Sequence, residues 1–404
     1  MRIRAKLGVA VLLAAGACAS RGPASSSSPP SGDPARPDPN PSAMQPAEMQ
    51  QLTLDHAMPG PRRRRGEAAV AQNAACEGCH DDVAREWRGS LHQRSNIEPA
   101  YQRAFAIEPM RFCQGCHAPE SDLDADAPAD ISALGVGCVT CHVTAKGILA
   151  APLAMEADAP SSRGPTAHQV VRDPQFSKSA ACASCHEFPF PDAGVRGSTE
   201  LMQSTHAEHA RSSHAGTSCA GCHMPTVTDD RRQGRARRSH AFAASRDPAI
   251  LRGAVRVEAR RTGPTTLRIT LTPRGVGHAL PTGDLFRRIE VLAEALGPDN
   301  LVKGRAARYL ARHFRVEQRS PGIALRILKE DNRVGIHGDA PTVVDLDVGE
   351  PAAGAPIAWS VTYQRVEHPR SVGEDDAVIE GEIPLAHGIE HPSRGAPKTE
   401  KKPR

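Results

Sequence analysis

Apolar and polar residues alternate along the last third of the chain. Val255, Val257 and Ala259 are separated by charged residues, and Leu267, Ile269 and Leu271 by Arg268 and Thr270. Runs of the same kind follow at 289–296, 314–318, 342–348, 357–363 and 377–383, with Pro, Gly and Asn clusters between them. A period of two puts every second side chain on one face, so these runs predict half-buried strands. Short strands at this spacing, divided by turn residues, predict an all-β sandwich over residues 249–390.

Upstream the alternation disappears. Residues 71–248 predict short helices, the clearest at 81–92, joined by loops. Residues 18–70 are dominated by Ser and Pro and cannot bury enough apolar surface to fold, so they predict a disordered tether. The basic run Arg62–Arg65 near its end predicts a solvated face. Residues 391–404 predict a disordered basic tail. Residues 1–17 place Arg2, Arg4 and Lys6 before an apolar stretch too short to span a bilayer, the pattern of an export signal. The stretch ends at Cys18 in a way that resembles a bacterial lipobox, with Cys18 as the lipid-bearing residue. Ordinary cleavage after Ala19 is the alternative, and both readings export the chain. The lipid reading anchors it to the outer membrane from the periplasmic side.

Composition changes this picture in two ways. The 50 basic residues are nearly balanced by 46 acidic ones, which gives nucleic-acid binding no support. Aromatic residues make up only 3% of the chain. A region so poor in large apolar side chains needs other material for its interior.

The cysteines supply the reason. Of 11, ten fall into five copies of one pentapeptide: Cys76 and Cys79 before His80, Cys113 and Cys116 before His117, Cys138 and Cys141 before His142, Cys182 and Cys185 before His186, and Cys219 and Cys222 before His223. Cys-x-x-Cys-His is the attachment signature of c-type haem: two thiols form thioethers and the His becomes an axial ligand to iron. Structural zinc or a redox dithiol would use Cys pairs without requiring His after every second Cys, and five pairs do not group by twos. The expected cofactors are therefore five covalently bound haems. No cysteine is left for a structural disulfide.

Whether each iron is closed by a second His decides between a wire and a catalyst. His92 stands 12 residues beyond His80, so on a continuous helix it lies roughly 18 Å along the axis and has to serve a different iron. His168 precedes the fourth motif. His206, His209 and His214 precede the fifth. His240 follows the basic stretch 231–238, and His278 sits in a Gly- and Pro-bounded turn inside the β region.

Several phrases sharpen this. Trp87-x-x-Ser90-x-His92, Gly135-Val136-Gly137 before the third motif, Glu187-Phe188 after the fourth, Met202-Gln203-Ser204-Thr205 and Met224-Pro225 around the fifth, Ser239-His240-x-Phe242 and Gly277-His278-x-x-Pro281-Thr282-Gly283 resemble multihaem c-type cytochromes of the kind that partner hydroxylamine oxidoreductase. The resemblance covers about residues 71–300. It implies a mostly helical and irregular haem-packed domain over 71–248 followed by the β domain. It also implies distal ligation by His92, His168, His240 and His278. The fifth distal ligand is left open among His206, His209 and His214, and His214 completes the expected set. The expected function is electron transfer along closely packed bis-His haems between redox partner proteins. The alternative is a reductase of a small nitrogen or sulfur oxyanion at one open haem. No Cys-x-x-Cys-Lys motif occurs, and none of Tyr101, Tyr309 and Tyr363 has the context of a haem crosslink.

Overall fold

The computed structural model describes residues 57–152, 168–190, 200–229, 235–320, 323–350 and 353–392. The export signal, Cys18, most of the tether and nearly all of the tail lie outside the described residues. No helix among the described residues is long and apolar enough to cross a membrane.

The first half is built from short helices: α1 (Glu67–Cys79), α2 (Asp81–Arg88), α3 (Pro99–Ile107), α4 (Arg111–His117), α5 (Ala129–Leu134), α6 (Cys138–His142), α7 (Ala180–His186), α8 (Thr205–Ala210) and α9 (Cys219–His223). Each pentapeptide closes one of them. The two Cys of a motif are three residues apart, so a helical turn points both thiols to one side. Small strands fill the gaps: β1 (Val143–Thr144), β2 (Gly147–Ala150), β3 (Val171–Arg172), β4 (Glu187–Pro189), β5 (Leu201–Ser204), β6 (Thr226–Asp229) and β7 (Arg235–Arg238). The predicted helix over 81–92 stops at Arg88, where Gly89 follows, and turns carry the chain to His92.

Apolar packing in this half is thin. Its buried cluster consists of Ala69, Trp87, Leu134, Val139 and Val143. Only half of the basic run Arg62–Arg65 is a solvated face: Arg62 and Arg64 are exposed, whereas the side chains of Arg63 and Arg65 turn inward. Arg65 forms a pair with Glu120 in which the two side chains are 3% and 1% exposed. Its guanidinium also donates to Val139 O at 3.0 Å and Val143 O at 3.2 Å. Arg63 is buried as well. Backbone bonds from this segment to Gly115, Pro119 and Glu120 lay it across the helical half. Charge alone could not reveal this, because the partner Glu120 lies 55 residues away.

The second half is all β. After α10 (Pro248–Gly253), capped by the Asp247 carboxylate on Ala249 N at 2.8 Å, come nine strands. These are β8 (Val255–Arg261), β9 (Thr266–Pro273), β10 (Arg287–Leu296), β11 (Val302–Leu310), β12 (Arg312–Ser320), β13 (Ile323–Asp331), β14 (Thr342–Asp347), β15 (Ile357–Val366) and β16 (Ile379–Glu390). One sheet has the order β14-β9-β8 and another β11-β10-β15-β16. The inward residues Leu267, Ile269 and Leu271 of β9 share a core with Ile289, Val291 and Ala293 of β10 and with Ile357 and Val361 of β15. Six of the seven alternating runs thus mark strands whose inner faces build this core, and the run at 314–318 marks β12. β11 and β13 had no such run. β11 is an edge strand whose Lys303, Arg305 and Arg308 face outward. β12 and β13 form a separate two-stranded ribbon. Phe314 of this ribbon stands edge-on to Phe190 at 5.2 Å, and Arg326 bonds Glu108 at 2.7 Å, so its burial comes from the helical half.

A buried ion pair locks the two halves together. Glu208 of α8 and Arg333 are 3% and 4% exposed and meet at 2.8 Å. Glu208 also accepts from Ser204 Oγ at 2.7 Å, Thr282 Oγ1 at 2.8 Å and Ala279 N at 3.2 Å. Arg333 donates to Asp331 at 2.7 Å and to Pro281 O at 3.0 Å. The turn that carries His278 is therefore tied to α8. Burial opposes the charge of Glu208, but Arg333 and the hydroxyl donors hold its carboxyl below the usual range.

Arg333→Met leaves two carboxylates without their cation and should cost about 3–5 kcal/mol in chemical denaturation. Arg268→Ala breaks an exposed pair with Asp345 and should leave the midpoint unchanged. The depressed carboxyl of Glu208 gives a stability contribution present above the unfolded value of about 4.3. It should be lost as pH falls through the lower folded value, and the wild-type stability curve should lose a step in acid that Glu208→Gln does not show.

Candidate functional site

Imidazole rings pair off in the interior. His80 faces His168, His92 faces His186, His142 faces His240 and His223 faces His278, each with ring centroids 6.2 Å apart. Each pair joins one motif histidine to one outside the motifs. At a metal–imidazole length of about 2.0–2.1 Å, two imidazoles on opposite sides of one metal have centroids about 6.3 Å apart. The spacing fits an iron between the rings. It is too long for direct stacking or a hydrogen bond. Among the described residues no three His, Cys, Asp or Glu side chains converge as a metal cluster, and all ten motif cysteines are free. That donor set suits a metal held in a macrocycle, with two thiols and two axial nitrogens from the chain.

The rings are held in the form a metal needs. Loss of solvent, with neighbouring histidines adding, pushes His92 down to about 3 and His186 and His240 down to about 4. All three are neutral at ordinary pH, as ligation requires. Outward nitrogens find acceptors. Nδ1 of His117 lies 2.7 Å from Ser95 O, that of His142 2.8 Å from Leu149 O and that of His223 3.1 Å from Ala243 O. This leaves Nε2 free to face a metal.

The phrases singled out in the sequence position the distal rings. Trp87 Nε1 donates to Val136 O at 2.8 Å, and Val136 N donates to His92 O at 2.9 Å. Gly135 has φ +56°, and a Cβ there would stand 2.2 Å from Gln93 O and 2.6 Å from His92 O. Only glycine lets the two segments approach this closely. Glu86 accepts two bonds at 2.9 Å from Arg237 and one at 2.7 Å from His240 N, which sets the segment before His240. The basic stretch is thus anchored through Arg237. Phe242 packs edge-on against both His92, at 4.3 Å, and His240, at 5.8 Å.

Four of the five expected second rings face a motif ring, and the fifth does not. His214 pairs with no motif ring. His209 is turned away, its Nε2 lying 2.9 Å from Thr217 O, and His206 lies 3.7 Å from Glu187. The ring that faces His223 of the fifth motif is instead His278 from the β half. Among the described residues, the motif histidine that no imidazole faces is His117. Its ring stacks at 4.0 Å and 12° on Tyr101, which flanks it rather than standing across a metal. Close to His117 the β half contributes Asp284, Arg287 and Arg365. Asp284 accepts from Arg287 and Arg365, each at 2.9 Å. Burial opposes its charge, yet the two guanidinium groups hold its carboxyl well below the usual range. In the sequence Tyr101 lacks the context of a haem crosslink, and no motif connects it to His117.

Two further facts fit a cofactor with carboxylate arms. Arg63, 2% exposed, has Nε and NH1 buried without partners, and it lies within electrostatic reach of Cys141 and Cys185. The Tyr101 hydroxyl and Asn96 Oδ1 are likewise buried and unpartnered. Thiols of different motifs also meet. Cys116 touches Cys185 and Cys182 touches Cys219, while Cys76 is close to Cys138 and Cys141 to Cys185.

The family model described as Cytochrome c554 and c-prime matches residues 75–143, which hold the first three motifs. A penta-heme cytochrome c552 from Thermochromatium tepidum has a similar fold, with a TM-score of 0.55, 18% identity, and 82% of this chain and 100% of that chain covered. No protein with a curated description matches the chain. The family match and the shared fold support a multihaem c-type cytochrome.

Gly135→Ala should displace the segment ahead of His92 and lower stability by at least about 1–3 kcal/mol. Gly253→Ala, at a site with open space, should be neutral in the same denaturation assay.

Proposed function

We propose that the chain is an exported electron-transfer cytochrome with five c-type haems, four of them closed by two imidazoles. The observation that carries this is the four ring pairs at 6.2 Å. Bound haem supplies a one-electron Fe(III)/Fe(II) couple at each site. The chain's part is to hold both axial rings neutral and fixed, so that little has to move when an electron arrives. Thiol contacts between motifs bring haem edges together, as electron passage requires. The ligand pairs are His80 with His168, His92 with His186, His142 with His240, and His223 with His278. The partners are redox proteins outside the cytoplasm. Cys18 as lipid anchor and residues 18–70 as tether would keep the protein near an outer membrane while letting it reach them.

A second reading follows from His117, which has no facing imidazole. The haem on Cys113 and Cys116 would keep one face open to a small ligand, and its site carries Asp284, Arg287 and Arg365. Reduction of a small oxyanion there is the enzymatic alternative, with the other four haems supplying electrons.

Intact mass should show five added haems. The reduced holoprotein should bind one carbon monoxide per chain, and paramagnetic resonance should show four low-spin irons and one high-spin iron. His92→Ala should raise the carbon monoxide count to two, while His214→Ala should leave it at one. Five low-spin irons with no carbon monoxide bound would sink the open-site reading. Turnover of nitrite or hydroxylamine by the reduced protein would make the protein an enzyme rather than a carrier alone.

A further inference from the structure

Motif histidines differ in what accepts their outward proton. His117, His142 and His223 use backbone carbonyls, which no substitution can remove. At His186 the partner is a side chain: the Gln203 amide, placed with Nε2 toward the ring, lies 3.0 Å from Nδ1, and a half-turn of the amide puts Oε1 in the same position. The fold arranges this directly. α7 ends at His186 and runs straight into β4, and antiparallel pairing of β4 with β5 sets Phe188 opposite Gln203 and Glu187 opposite Ser204. Gln203 is thereby brought alongside the imidazole two residues earlier. Nε2 of the ring is the nitrogen left for a metal, so Nδ1 carries the proton and donates. The amide must then present Oε1 to it, since its NH2 would oppose one donor with another.

We propose that Gln203 sets the redox potential of the iron between His92 and His186. It is a positioning residue that acts through His186, and the proposal rests on the bis-His reading above. A hydrogen bond from Nδ1–H to Oε1 pulls the proton partly off the ring and makes the imidazole a stronger electron donor. A stronger donor stabilises Fe(III) over Fe(II), so the one-electron potential falls.

The test is potentiometry of the holoprotein followed by paramagnetic resonance. This site is recognisable because its two rings are nearly perpendicular, at 78°, against 8° for His223 and His278. Near-perpendicular axial rings give a strongly anisotropic low-spin signal, and parallel rings a rhombic one. Gln203→Leu removes the acceptor and should shift this iron toward Fe(II) at least tenfold, or about 59 mV upward for one electron. Gln203→Glu offers a stronger acceptor and should move the same midpoint downward. The other four midpoints should stay in place in both variants. The inference is overturned if Gln203→Leu moves no midpoint, if several move together, or if both variants shift the site in one direction. Intact mass of each variant keeps the two readings apart. Five haems with no shift reject Gln203 alone, whereas fewer than five reject the cofactor reading.

Discussion

Two imidazoles that serve one iron have to stand about 6 Å apart on opposite sides of it, and four ring pairs of this chain have that spacing. His80 and His168 are far apart in sequence, as are His92 and His186, or His142 and His240. No local propensity brings such residues together. The fold does so with anchors that are mostly polar: Trp87 on Val136, Arg237 on Glu86, Arg65 on Glu120, and Glu208 on Arg333. The helical half has little apolar packing to spend on this task. Its interior is shaped for flat cofactors, and directed hydrogen bonds take over the placement that a hydrophobic core performs elsewhere.

The last pair shows why the β half belongs to the same functional unit. His278 lies in a turn whose backbone and side chains bond Glu208 and Arg333, so the sandwich presents a ring to His223 instead of merely covering the helical half. A buried ion pair is often no better for stability than an apolar contact of the same size. Its value here is directional. It fixes which residue of the turn faces His223, which an apolar contact would leave free to slide.

What could be read in the sequence followed the range of the interactions. The pentapeptides are local, and each binds one cofactor edge within a single helical turn, so they were legible at once. The alternating strands β8, β9, β10, β14 and β15 were legible because one face of each meets a common core. β13 was not, since what buries its ribbon is the helical half. Arg63 and Arg65 looked like a solvated run because their surroundings, Glu120 and the haem-attachment helices, are assembled from elsewhere in the chain. The distal histidines fell between these cases. His92, His240 and His278 sit in phrases that resemble a known family. His214 sits in a crowded stretch with no such signature, and counting five irons against five ligands filled the gap where His117 stands with Tyr101 at its side.

The thiol contacts carry one more consequence. Cys185 is close to both Cys116 and Cys141, Cys182 touches Cys219, and Cys76 is close to Cys138. Traced from motif to motif, the fourth is a three-way junction: one arm runs through the third motif to the first, one ends at the fifth, and one ends at the second. On the proposed cofactor reading the circuit would be branched, and the branch that ends at His117 would be fed from two directions. A line of haems delivers charges in single file. A fork lets two electrons wait on separate arms and reach the same terminus in quick succession.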